Sequence, residues 1–141
     1  MKELILLGGG GHCKACIDVI ESEAKYRILG ILDSADKVGQ SILGYEYLGT
    51  DDDIQSYVDL GVYFLITVGQ IGSSSLREKL AKMLSSRGAK IATVISKRAY
   101  ISKSASVGVG SIVMHDSLIN AEAKIGVHCI INSKALIEHE S

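Results

Sequence analysis

Two places in this chain combine residue types and spacings that could do chemistry. One is a run of four glycines closed by a histidine, Gly8-Gly9-Gly10-Gly11-His12; the other is a histidine held between glutamates, Glu138-His139-Glu140. Consecutive glycines let backbone N–H groups approach an anion closely, and a helix starting there strengthens the attraction. Imidazole is an acid–base group near neutral pH, and an adjacent carboxylate stabilises the imidazolium formed when it takes a proton. The pair therefore suggests phosphate binding at one place and proton abstraction at another. Two further histidines, His115 and His128, lack such flanking signals and read as surface positions. Cys13 and Cys16 form a C-x-x-C pair that at a helix N-terminus could support disulfide exchange. The competing reading is packing, because Cys16 shares a helix face with Val19 and Ile20, where a thiol behaves as a small hydrophobe. Zinc would need about four nitrogen or sulfur ligands, and His12 is the only such neighbour of the two cysteines in sequence.

The elements that must hold these groups are legible from periodicity. Residues 3–7 form a short apolar strand, 8–11 a turn, 13–21 a helix with Ala15, Cys16, Val19 and Ile20 on one face, and 26–32 a second strand ending at Asp33. A strand, glycine turn, helix and strand place an anion at the helix N-terminus, and the acid closing the second strand suits a ribose hydroxyl. Thr50 with Asp53, and Ser75 with Glu78, look like capping boxes opening two more helices. Residues 62–68 make an apolar strand between them. Leu76, Leu80, Met83 and Leu84 give the second helix its stripe, Gly88 caps it, and 90–95 form a fourth strand. The dinucleotide fingerprint is incomplete, since Cys13 or Lys14 stands where a third glycine is expected, and a purely structural tight turn remains an alternative. The domain is also short for two mononucleotide halves, which favours a nucleotide or nucleotide-sugar over a dinucleotide.

From Ile101 onward the chain repeats every six residues. Ile101, Val107, Val113, Ile119, Ile125, Ile131 and Ile137 hold the first position, and Ala105, Ser111, Ser117, Ala123, Cys129, Ala135 and Ser141 the fifth. One branched aliphatic and one small residue per hexad is the pattern of a parallel β-helix whose inward positions stack from coil to coil. Gly108, Asn120, Gly126 and Asn132 follow the aliphatic and are expected to supply left-handed corners. His115 and His139 fall at the third position, His128 at the fourth.

Composition sets the outer bounds. At 141 residues and 47% hydrophobic, the chain can bury a core of one or two units. A net charge of -1 disfavours a nucleic-acid surface, no stretch approaches the roughly 20 apolar residues of a membrane span, and the N-terminus lacks a signal-peptide layout. Three cysteines do not make a secreted disulfide framework, so a cytoplasmic protein is expected.

Taken together, the GGGGH turn, the small α/β unit, the hexapeptide repeat and the late E-H-E resemble the bacterial sugar O- and N-acetyltransferases of surface-glycan synthesis. That group includes sialic acid O-acetyltransferases and UDP-4-amino-sugar N-acetyltransferases. The resemblance implies an α/β fold, with a Rossmann-like nucleotide-sugar domain over 1–96 followed by a partial left-handed parallel β-helix over 97–141. It places Gly10, Gly11 and His12 near the phosphates and sugar, Asp33 and Ser34 near the nucleoside, and Gly69 at another substrate position. Family members often carry two acids where this chain has Asp33-Ser34. His139 matches the general base and Glu140 the carboxylate that raises its basicity, with acetyl-CoA as co-substrate and no metal. The substrate would be a UDP-amino-sugar or a sialic acid, and full-length members of the family would assemble as homotrimers, which leaves the oligomeric state of this chain open. Family members continue for several further coils, whereas Ser141 falls two residues after His139, so a truncated polypeptide is expected that keeps nucleotide-sugar binding without efficient acetyl transfer and whose uncovered last coil favours self-association. Two other readings use the same residues: a non-catalytic nucleotide-sugar-binding module, and an NAD-dependent oxidoreductase in which the β-helix would have no role.

Overall fold

The structure, a computed structural model, describes residues 1–69 and 74–139. Its first unit is a six-stranded sheet in the order β3-β4-β2-β1-β5-β6, built from β1 (Lys2–Leu7), β2 (Tyr26–Leu32), β3 (Ser41–Ile42), β4 (Tyr45–Gly49), β5 (Tyr63–Ile66) and β6 (Lys90–Ile91). All neighbours are parallel except the β3–β4 hairpin. The central strand β1 is apolar at every position from Leu4 to Leu7 because both its faces are covered. Leu4 and Leu6 pack with Cys13, Cys16, Ile17 and Ile20 of α1 (Gly11–Glu23), while Ile5 and Leu7 pack with Ile54 of α2 (Ile54–Asp59) and with Leu80 and Leu84 of α3 (Ser74–Ser86). Each such fully buried aliphatic is worth roughly 1.5–3 kcal/mol.

The Thr50–Asp53 capping box forms as expected and opens a 3₁₀ turn, Asp51–Asp53, that runs into α2. Ser75 does not cap α3: it already lies within the helix, which includes Ser74. Gly88, at φ 66°, ends that helix in the left-handed conformation a glycine cap supplies. The strand expected over 90–95 is divided. Lys90–Ile91 joins the sheet on β5, whereas Val94–Ile95 pairs with Ile112–Val113 and so starts the second unit.

That second unit is a left-handed parallel β-helix of two-residue strands: β7 (Val94–Ile95), β8 (Tyr100–Ile101), β9 (Ser106–Val107), β10 (Ile112–Val113), β11 (Leu118–Ile119), β12 (Lys124–Ile125), β13 (Ile130–Ile131) and β14 (Leu136–Ile137). They stack into three faces, β7-β10-β13, β8-β11-β14 and β9-β12. Both repeating positions point inward and make one core, and the register reaches back a further hexad to Ile95 and Ala99. Buried Ser111 shows why small polar residues fit the fifth position: its hydroxyl donates to the Gly126 carbonyl at 2.7 Å and accepts from Cys129 N–H at 3.0 Å, stitching two coils.

The corners differ from the expectation. Positive φ falls not on the residue after the aliphatic but two positions later, at Gly110, Asp116, Glu122, His128 and Lys134, again six apart. Gly108 is needed for space instead, since a Cβ there would lie 2.5 Å from the Gly126 carbonyl carbon and oxygen in the next coil.

The two units share a core through α1, which is covered by the sheet on one side and by Val94, Ile112, Met114 and Ile130 of the β-helix on the other. A polar chain reinforces this contact. His115 Nε2 meets Asp18 Oδ2 of α1 at 2.8 Å, and its Nδ1 meets Ser96 Oγ at 2.5 Å.

Candidate functional site

The glycine turn leaves β1 at the point where the sheet order reverses, with β2 on one side and β5 on the other. Ligands of open α/β sheets bind at such a switch point, outside the carboxyl ends of the strands. Each glycine of the turn answers to a different constraint. Gly8 has φ 110°, and an added Cβ would sit 2.2 Å from a Val68 methyl; at Gly9 it would meet the Tyr47 hydroxyl at 2.0 Å. Gly10 has φ 118° and precedes α1 with no side-chain cap, and among the described residues no atom outside the turn and the helix's own backbone comes within 4 Å of where a Cβ on Gly10 or Gly11 would stand. Among those residues the turn is packed tightly at its first half and open at its second. The uncapped first turn of α1 offers backbone N–H groups with no acid in that turn to compete for them.

Asp33 builds this turn. Its Oδ2 accepts the Gly9 N–H at 2.7 Å, its Oδ1 accepts the Ser34 N–H at 2.7 Å, and Lys37 approaches at 3.4 Å. A carboxylate has about four lone-pair sites, so a ligand hydroxyl can still be accepted beside these partners. Thr67, fully buried at the end of β5, donates to the Gly8 carbonyl at 2.6 Å and fixes the turn from the other side. Between them opens a cleft of about 210 Å³ lined by Leu7, Gly8, Leu32, Asp33, Ser34, Asp51, Val68, Leu76 and Leu80.

His12 stands in the first turn of α1, half-buried, with Gly69 beside it: a Cβ on Gly69 would lie 3.5 Å from the His12 Cβ. Burial and the Arg77 cation hold its imidazole below the usual 6.5. The C-x-x-C pair serves packing. Both thiols are fully buried and free, and burial pushes Cys13 up to about 11 and Cys16 to about 12, far from the thiolate that exchange chemistry requires. No group of three or more His, Cys, Asp or Glu that could hold a metal occurs among the described residues.

The second expected centre belongs to the β-helix. His139 lies exposed in the corner after β14, and no hydrogen bond among the described residues ties it to the glycine turn. Glu140 lies outside the described residues. The structure therefore gathers Gly10, Gly11, His12, Gly69, Asp33 and Ser34 along one edge of the sheet and carries His139 on the β-helix.

Comparison with known proteins gives this arrangement its relatives. The PglD N-terminal domain family matches residues 3–84, which take in strands β1 to β5, the glycine turn and nearly all of α3. The chain belongs to the PglD N-terminal domain family. A Bacillus subtilis UDP-N-acetylbacillosamine N-acetyltransferase is 35% identical over 114 residues, 79% of this chain and 50% of that protein. PerB of Caulobacter crescentus, solved in complex with CoA and GDP-perosamine, superposes with a TM-score of 0.87 at 28% identity, over 99% of this chain and 64% of its own. The same perosamine N-acetyltransferase with one histidine replaced by asparagine, again with CoA and GDP-perosamine, superposes at 0.88. The acetyltransferase domain of PglB from Neisseria gonorrhoeae, in complex with acetyl coenzyme A, matches at 0.87 and 25% identity, over 99% of this chain and 65% of that one. The chain thus spans about half to two thirds of the length of these relatives.

Several residues at this candidate site carry no signal in the sequence. Leu76 belongs by spacing to the apolar stripe of α3, yet it is 39% exposed and forms part of the cleft wall. Arg77, only 6% exposed, donates to the carbonyls of Val68 at 2.6 Å and His128 at 2.7 Å, joining the segment after β5 to the β-helix. Tyr47 closes over Gly9 from β4. Nothing short of the tertiary packing marks these three.

Proposed function

We propose that this chain binds a nucleotide-activated amino sugar and presents the base for its N-acetylation by acetyl-CoA, as part of bacterial surface-glycan synthesis in the cytoplasm. The observation that carries this reading is the glycine turn: open over Gly10 and Gly11 among the described residues, uncapped at α1, and placed at the sheet's switch point in a chain that superposes over 99% of its length on a CoA- and GDP-perosamine-bound acetyltransferase. In this reading the α1 N-terminus and His12 meet the diphosphate and sugar, and the cleft beside Asp33 and Ser34 takes the nucleoside, with Leu76 and Leu80 as an apolar wall for the base. His139 takes the proton from the sugar amine as its nitrogen attacks the thioester carbon, a tetrahedral oxyanion forms, and CoA thiolate leaves. Glu140 raises the basicity of His139. Tyr100, Leu118 and Leu136 stack as an exposed apolar ladder on one β-helix face, in keeping with a homotrimer built on that face.

Calorimetric titration with UDP, GDP, NAD and acetyl-CoA tests the binding reading. Binding of UDP or GDP and not of NAD is expected; NAD alone would move the assignment to an oxidoreductase. Acetyl transfer is tested by CoA release with a UDP- or GDP-linked amino sugar. Because the attacking amine must be unprotonated, the rate is expected to fall as pH drops, and a flat profile would contradict amine attack.

A further inference from the structure

His12 is held in a way that nucleotide binding alone does not require. Its Nε2 lies 3.3 Å from the sulfur of Cys16, one helical turn further along α1. Cys16 is fully buried and its thiol keeps its hydrogen near neutral pH, because burial pushes it up to about 12. From α3, Arg77 is fixed by the carbonyls of Val68 and His128, and its charge acts with burial to keep the His12 ring neutral. Arg77 and Cys16 are the titratable groups that act on the ring among the described residues, and no carboxylate there pairs with it.

A neutral imidazole has one N–H and one lone pair, and which nitrogen carries the proton is set by the partner of the other. A thiol that retains its hydrogen, buried beside Nε2, satisfies itself by donating to that nitrogen. The ring proton is then left on Nδ1. We infer that Cys16 is a positioning residue that sets the tautomer of His12, so that the histidine beside the glycine turn offers its ligand one uncharged Nδ1–H donor. The geometry stands by itself; its meaning for the ligand rests on the nucleotide-sugar reading. A donor-only face selects an oxygen acceptor, on a phosphate or a sugar hydroxyl, and repels an N–H. The substrate amine therefore lies elsewhere, and Nδ1 of His12, already protonated, does not take its proton.

Long-range proton–nitrogen spectra of the whole chain near neutral pH read the tautomer directly. The expected pattern is a protonated Nδ1 and a lone-pair Nε2 at His12, with Cys16→Ala shifting the population toward a protonated Nε2. A protonated Nε2 in the wild type overturns the inference, and so does an unchanged tautomer in Cys16→Ala. Since Cys16 is a core position, a second pair of variants avoids it. Asparagine places an amide N–H where Nδ1 lies, glutamine where Nε2 lies. By calorimetry with UDP and with GDP, His12→Asn is expected to stay within about 2-fold of wild type, while His12→Gln loses about 3- to 10-fold, the range of one neutral hydrogen bond. Glutamine matching wild type while asparagine weakens binding overturns the inference. Failure of both nucleotides to bind the wild type would sink the nucleotide reading and leave the tautomer to be decided by the spectra.

Discussion

Asp33 shows how much one side chain can carry. Its two oxygens each accept a backbone N–H, one from the glycine turn and one from Ser34, at 2.7 Å. Asp33→Ala leaves Gly9 N–H without its partner in a partly buried place, a loss of about 1–3 kcal/mol by chemical or thermal denaturation. Nucleotide affinity should fall with it, because the turn that presents the N–H groups is no longer pinned. His128 makes a different prediction. Burial and the nearby Arg77 cation hold it below 6.5, and its Nδ1 is buried without a partner among the described residues. The unfolded chain therefore binds a proton that the folded one refuses: the contribution of neutral His128 is full above pH 6.5 and is lost as pH falls from there toward the folded value. His128→Asn, which tolerates the left-handed backbone at φ 51°, should flatten that part of a stability-against-pH curve. Equal slopes in the two proteins would show that other groups carry the acid sensitivity.

The strands, helices and coils were largely readable from pattern, and the failures have physical causes. β1, β2 and α1 sit within two residues of their expected bounds because an apolar run, a glycine turn and a helical stripe follow one another without ambiguity. Residues 90–95 read as one strand because periodicity reports burial, not partnership, and Ala92 lies buried between two strands that pair in different sheets. Gly108 looks in sequence like any turn glycine, yet tertiary stacking demands it: a Cβ there would meet the backbone of the next coil at 2.5 Å. Gly108→Ala should lower stability by about 2 kcal/mol or more, as overpacking does. A melting curve unchanged from wild type would refute the stacking argument. The glycine turn and Asp33 are legible in sequence as a candidate site, whereas Leu76, Arg77 and Tyr47 are not, since each reaches it across an interface formed by residues far apart in the chain.

Sheet and β-helix act as one body because α1 has cores on both sides, Arg77 spans from Val68 to His128, and His115 bridges Asp18 to Ser96. Arg77→Met keeps the volume of the stem but leaves two carbonyls without their donor; a loss of about 2–4 kcal/mol is expected, with nucleotide affinity reduced as well because Val68 borders the cleft. An unchanged melting temperature would mean that the α1 core alone holds the units together. The coil itself has a geometric consequence. Ile95, Val113 and Ile131 stack in register, as do Ile101, Ile119 and Ile137, so chain length between the glycine turn and His139 works as an angular scale. Removing one hexad would carry the imidazole round to a different side of the prism, while removing three would return it to the same side one layer lower, about 4.8 Å away. Insertions and deletions in this segment are therefore not interchangeable: their length modulo one coil decides which direction the His139 imidazole faces, and whole coils decide only its height.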